Sequence, residues 1–313
     1  MSIPAQQHVT FTVHLAGPID IPLSIDLFKR SGDDLLDRWD GTTLIRTLPL
    51  NGQHIAYACT VQGTRQEPAL LVSIEDACYQ SAIQQAILST FLPVPSSFNT
   101  LLQKDPIVAQ LHQRFPGLRP VRQFDLLAAL IRSISAQQVN LRWATTIRSR
   151  LAESFGEAHQ VGGQIVYSFS PERLAAASVA DIRALQWSTR KAEYVISAAE
   201  AVASGQLRLA ELIELPDDEV IERLTKLRGI GRWTAEWLLL RTLGRSCVVA
   251  GDLGVRKAIS QAYLGQPLAS EQEVREATAH WGDCAAIAQG LLLETLSDPI
   301  PAKKTAKAKA EKI

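Results

Sequence analysis

The sequence predicts a mostly α-helical protein that carries a smaller α+β domain at its N-terminus. Three observations lead there. Short stretches in which apolar and polar residues alternate, the period of a half-buried strand, recur before residue 75. A segment holding Pro93, Pro95, Ser96 and Ser97 then reads as a linker. Beyond it the apolar spacing becomes helical.

Along the chain, Val9, Phe11, Val13 and Leu15 alternate with polar residues and mark a first strand. Asp40-Gly41 is a turn signal ahead of a run at 42–48. Residues 54–61 alternate again, with Ile55, Tyr57, Cys59 and Val61 on one side, and 69–74 is a further apolar run. Ala82, Ile83, Ala86, Ile87 and Phe91 share one helical face. Residues 1–98 are therefore expected to form the α+β domain and 99–300 a helical core. In that core Phe124, Leu127, Leu130, Ile131 and Ile134 mark a helix, Ala136-Gln137-Gln138-Val139-Asn140 interrupts it, and 141–155 resumes until Gly156. Ser170-Pro171-Glu172 supplies a capping serine and a proline at the first helical position. Short helices are expected through 172–214 and another at 217–226, with no useful strand alternation after residue 170. The tail at 301–313, PAKKTAKAKAEKI, is lysine-rich with few apolar residues and is expected to be disordered.

With 313 residues, 46% hydrophobic and 20% charged, the chain has the make-up of a globular protein of two or three packed domains. No apolar run approaches the roughly 18 to 20 residues that span a bilayer. Residues 1–10 lack a basic stretch followed by an apolar one. A cytoplasmic protein without membrane partners is expected. Cys59, Cys78, Cys247 and Cys284 are too far apart for a paired metal-ligand motif and read as reduced thiols. The net charge of zero hides an asymmetry: residues 1–98 hold 5 basic against 9 acidic side chains, 99–250 hold 19 against 15, and 251–313 hold 8 against 8. The middle of the chain can therefore present a local basic face to phosphates.

The informative stretch is 227–259, LRGIGRWTAEWLLLRTLGRSCVVAGDLGVRKAI. Gly229 and Gly231 flank Ile230 between a helix ending near Lys226 and one beginning near Arg232. Two glycines allow a tight turn and close backbone approach. The amides that open the second helix make an anion site that fits a phosphate. Alone, the motif reads first as a plain helix-helix turn. Asp252, just ahead of an expected helix at 253–262, alone reads as a helix N-cap.

L-x-G-I-G-x-x-T-A followed by G-D-L-G-V-R-K resembles the helix-hairpin-helix DNA glycosylase superfamily, and within it the sequence is most similar to the DNA-3-methyladenine glycosylase II branch. The likeness runs more loosely from about residue 100 to residue 295. It implies a fold of two helical subdomains, with the helix-hairpin-helix at about 217–243 and an N-terminal domain resembling a TATA-binding-protein half. It implies double-stranded DNA with damaged bases as partner, a monomer, and a nucleoid location if the source is bacterial. Asp252 becomes the catalytic carboxylate, suited to stabilise the positive charge that builds on the sugar as an N-glycosidic bond breaks. Trp233 occupies the position where backbone-cutting members carry a nucleophilic lysine, so hydrolysis without a lyase step is implied. Trp233 and Trp237 match aromatic residues that line the base pocket, where ring faces attract a cationic alkylated purine.

The same resemblance assigns Gly229, Ile230, Gly231, Arg232 and Thr234 to DNA binding, and Gln138 to filling the gap left by a flipped base. The carbonyls of Thr225, Leu227 and Ile230 are implied ligands of a monovalent cation. No other cofactor is required, and only Cys284 lies where some branches hold an iron-sulfur cluster, so none is expected. Three positions depart from the branch. Trp281 is followed by Gly282, Asp283, Cys284 and Ala285, where relatives carry a proline, an aromatic residue and an arginine. Leu293 stands near an expected aromatic, and Gln186-Trp187 stands where a glycine is usual. A changed pocket wall or DNA-facing surface is expected, which leaves deaminated, oxidised or mismatched bases as alternative substrates. A noncatalytic DNA-binding module is the reading of a different class.

Overall fold

The computed structural model describes residues 9–297, so the lysine-rich tail lies outside it. Strands β1 (Val9–His14), β2 (Asp37–Trp39), β3 (Thr43–Leu50), β4 (Gln53–Gly63) and β5 (Pro68–Ile74) form an antiparallel sheet in the order β1-β5-β4-β3-β2. Helix α1 (Ile21–Lys29) follows β1. Asp20 caps it, accepting the Leu23 N–H at 3.0 Å, and Pro22 sits in its first turn. Helix α2 (Gln80–Leu88) follows β5. Tyr57 and Cys59 of β4 join a core with Ile25, Ile83 and Ile87 of the two helices.

Ala56 and Ala58 alternate with that set and meet a second layer instead. This layer is a hairpin, β6 (Gly156–Val161) and β7 (Gln164–Phe169), whose Val161 and Val166 pack on Ile45, Ala56 and Ala58. The sequence reading left 156–169 without an element. The signal was Gly162-Gly163, both left-handed with φ 57° and 75°, as the two-residue turn of a hairpin requires.

The rest is helical: α3 (Phe98–Lys104), α4 (Pro106–Arg114), α5 (Leu126–Ala136), α6 (Leu141–Phe155), α7 (Pro171–Ala175), α8 (Val179–Ala184), α9 (Thr189–Ala203), α10 (Leu209–Glu214), α11 (Asp217–Thr225), α12 (Arg232–Arg241), α13 (Leu253–Ile259), α14 (Glu271–Thr278) and α15 (Ala285–Glu294). Ser170 caps α7 with Pro171 at its first position, as the sequence suggests. Helix α13 is shorter than the expected 253–262, because a wider π turn replaces the α pattern from Ser260. Two apolar cores divide the helices. One holds Leu130, Ile134, Ile147, Val195, Leu224 and Leu238; the other holds Phe98, Leu111, Val255, Ile259, Trp281 and Leu291.

The N-terminal sheet does not stand apart from this body. Leu27 packs in the second helical core and Leu36 in the first. The expected linker is pinned: the Leu92 N–H donates to the Pro120 carbonyl, and the Arg122 N–H to the Thr90 carbonyl. A buried ionic cluster adds to the join. Asp34 accepts from Lys29 at 2.9 Å, Arg132 at 2.9 Å and Arg148 at 3.0 Å, and Asp37 accepts from Arg46 at 2.8 Å and Arg132 at 2.9 Å. No helix among the described residues is long and apolar enough to cross a membrane.

Candidate active site

The turn between α11 and α12 is built on close approach. Gly229 has φ +84°, and a Cβ there would lie 2.2 Å from Cγ of Tyr194 on α9. Both conformation and the tyrosine ring exclude a side chain. Gly231 caps α12, and a Cβ there would meet nothing within 4 Å, so this helix end lies open. The first-turn N–H groups of Arg232, Trp233 and Thr234 precede the first intrahelical bond, from Ala235 to the Gly231 carbonyl. With the positive end of the helix they form an anion site. The Arg232 side chain is exposed and donates to Glu236 Oε1 at 2.8 Å.

At two of the expected DNA contacts the side chain is turned inward. Ile230 is buried in the first helical core, and Thr234 is buried with its hydroxyl accepting from Ser133 at 2.9 Å. Their side chains serve packing, and only their main chains remain for a phosphate. Among the proposed cation ligands, the Leu227 carbonyl accepts the Ile230 N–H at 3.1 Å within the turn.

Asp252 is the N-cap of α13, its Oδ1 accepting the Val255 N–H at 3.0 Å. Its Oδ2 lies 3.3 Å from the indole Nε1 of Trp233, which donates to it. Trp233, Trp237 and Asp252 line one cavity of about 140 Å³ between the two helical halves, with Phe28 from the last turn of α1 completing the wall. Leu293, where an aromatic was expected, is part of this wall. Trp281 is not. It is buried elsewhere and donates to Asp105 Oδ2 at 3.2 Å, a carboxylate shared with Tyr263 at 2.6 Å and His280 at 2.8 Å. The altered residues after Trp281 therefore leave the cavity untouched, and the departure that reaches it is Leu293.

Gln138 is exposed in the α5–α6 loop with φ +55°. Its neighbour Gln137 donates from Nε2 to the Gly229 carbonyl at 2.9 Å, tying this loop to the hairpin turn. Ala136 and Leu141 at the loop ends line the cavity. Gln186 adopts φ +69°, the left-handed conformation that a glycine takes most easily, and Arg150 bonds its side chain. Trp187 is buried, donating to the Ile147 carbonyl at 3.0 Å.

The sequence reading missed the charge of the cavity. Arg30, Arg132, Arg148 and Arg241 line it beside Asp252. A signal existed: Arg132 interrupts the otherwise apolar face of α5, a place where an unpaired cation would be costly. Burial opposes ionisation of Asp34, but Arg132, Lys29 and Arg148 outweigh it and hold its carboxyl well below the usual range. Burial, with Arg30 and Arg132 nearby, depresses Arg241 to about 10, and Asp252 partly offsets this.

The family described as HhH-GPD superfamily base excision DNA repair protein matches residues 131–283. DNA-3-methyladenine glycosylase of Bacillus subtilis is 29% identical over 186 residues, covering 59% of this chain and 61% of that protein. DNA-3-methyladenine glycosylase 2 of Escherichia coli is 32% identical over 128 residues, covering 40% of this chain and 44% of that protein. The chain thus spans about three-fifths or less of the length of these curated relatives. Among solved structures, a 3-methyladenine DNA-glycosylase from Archaeoglobus fulgidus superposes with a TM-score of 0.80 at 25% identity, covering 91% of this chain and 98% of that one. Over the hairpin and the helices around the cavity, the chain is similar to the HhH-GPD superfamily of base excision DNA repair proteins.

Proposed function

We propose that the protein is a monofunctional DNA glycosylase that hydrolyses the N-glycosidic bond of alkylated bases of the 3-methyladenine and 7-methylguanine type. The observation that carries this reading is the Asp252 carboxylate, held by a helix cap and the Trp233 indole in a cavity lined by two tryptophans, on the helix whose open N-terminus can take a phosphate. The α12 N-terminus grips a phosphate, the damaged base leaves the stack, and Gln138 fills the gap. As the C1′–N bond breaks, the sugar gains positive charge and Asp252 stabilises it. Water adds at C1′, and its proton passes to Asp252 or to solvent. Trp233 offers no amine, so the sugar forms no Schiff base and the backbone stays intact. The carbonyls of Thr225, Leu227 and Ile230 are oxygen donors of the kind that hold a hard cation, and the Leu227 oxygen keeps one lone pair beyond its bond to Ile230. A monovalent cation there would supply positive charge for the phosphate. The protein acts on duplex DNA as a cytoplasmic monomer.

The test is Asp252→Asn assayed on methylated duplex DNA. Base release should fall by about 100-fold or more, the scale of losing one preorganised electrostatic contact, with duplex affinity kept. Wild-type activity in that variant would overturn the assignment. Tight duplex binding by the wild type with no base released would leave a noncatalytic DNA-binding module. A borohydride-trapped complex would contradict the water nucleophile.

A further inference from the structure

Two helix ends of opposite sign meet in the loop that carries Gln138. Helix α6 begins there, capped by Asn140, which accepts the Trp143 N–H at 2.8 Å, and its positive end suits a phosphate. Helix α5 ends there, and its negative end does not. A lysine, arginine or histidine in the last turn commonly answers such an end. Helix α5 has none. The cation comes from another helix: Lys191 of α9 donates from Nζ to the Ser135 carbonyl at 2.8 Å. On its own helix Lys191 is badly placed. It lies in the first turn of α9, at the positive end, where no acidic residue accompanies it. Nor does a carboxylate explain it. Lys191 is half-buried, burial lowers its pKa with no neighbouring carboxylate to raise it, and Glu193, two positions on, pairs with Arg228 at 2.9 Å. Three residues on, Tyr194 packs against Gly229, so one face of α9 supports the loop and the hairpin turn together.

We propose that Lys191 is a positioning residue for duplex binding: its ammonium neutralises the carbonyl end of α5, so that the Gln138 loop can face a phosphate backbone. This rests on the glycosylase reading above, which sets that loop against DNA. Without the ammonium, the end of α5 would turn a negative charge of roughly half an elementary unit toward a polyanion. The Ser135 carbonyl would lose its donor, but Ser135 would stay in place. Arg148 donates to its hydroxyl at 2.7 Å and is itself held by Asp34 at 3.0 Å. Lys191 therefore acts through its charge rather than by holding the loop's shape. It reads no base and touches no reacting atom, so its effect on affinity is the same for every sequence and is screened by salt.

The experiment compares wild type, Lys191→Met and Lys191→Arg on one duplex carrying 7-methylguanine. Fluorescence anisotropy gives affinity from low to high salt, and a single-turnover assay gives base release. Thermal unfolding checks each fold, and Lys191→Gln, which keeps a donor without the charge, takes the place of Lys191→Met if that variant unfolds. At low salt Lys191→Met should bind about tenfold more weakly than wild type, with the gap closing as salt rises. Lys191→Arg keeps the charge and should stay within about twofold of wild type. Equal affinity of Lys191→Met and wild type at low salt would overturn the inference. So would a loss in both variants that salt leaves unchanged, since that marks a packing role. Either result leaves the glycosylase reading standing when the wild type releases 7-methylguanine. Duplex binding by the wild type with no base released would overturn that reading, and the salt comparison would still decide for or against Lys191. No duplex binding by the wild type would overturn both.

Discussion

The two oxygens of Asp252 face different tasks, one capping α13 and the other meeting the Trp233 indole. Asparagine caps a helix about as well as aspartate, within a few tenths of a kcal/mol. Asp252→Asn should therefore keep its thermal midpoint within a few degrees of wild type, while Asp252→Ala should lose about 1 kcal/mol of stability, both read by calorimetry. Read from the sequence alone, Asp252 was a cap, and that reading was true as far as local chemistry goes. The second oxygen's partner lies on another helix, which no local pattern encodes. Gly229 makes a sharper case. Gly229→Ala meets both a left-handed backbone and the Tyr194 ring, so roughly 1–3 kcal/mol of destabilisation should appear in urea unfolding. Adding Tyr194→Ala should restore only the part due to the clash.

Among the elements, α12 concentrates the candidate site: an open N-terminus with unpaired first-turn amides, two indoles along one face, and Arg241 near its end. A substitution at its cap can separate folding from DNA binding. Gly231→Asp has open space for a side chain and improves the cap, so the unfolding midpoint should not fall. The same carboxylate would repel a phosphate, and duplex affinity at low salt should drop by about tenfold, measured by fluorescence anisotropy. The periodicities of β1, β3, β4, β5, α5, α6 and α11 were legible in the sequence. The β6–β7 hairpin was not assigned, because a two-stranded element between helices offers little periodic length. Its Gly162-Gly163 turn was the readable mark.

Over the whole molecule, the sheet and the helical body meet through buried charge. Asp34 and Asp37 come from the N-terminal segment, Arg132 and Arg148 from α5 and α6. Removing one carboxylate leaves buried cations without a partner, so Asp34→Asn should cost about 3–5 kcal/mol in denaturant unfolding. The folded Asp34 carboxyl lies well below its unfolded value of about 4, so its contribution is complete above that pH and disappears as pH falls through the folded value. Acid titration of the wild type should show this loss below about pH 4, and Asp34→Asn should flatten it. The partition expected at residue 98 follows a change in the sequence's periodicity. The pairs that cross it join residues about a hundred positions apart, and sequence period says nothing of them.

One bond between two loops carries a consequence for how a duplex would be searched. The Gln137 amide holds the Gly229 carbonyl at 2.9 Å. In the proposed complex, the turn that clasps the backbone and the loop that enters the stack are then fixed to each other like the jaws of a caliper. The distance from clasped phosphate to inspected base becomes a constant of the protein. In that complex every base would be gauged at the same offset.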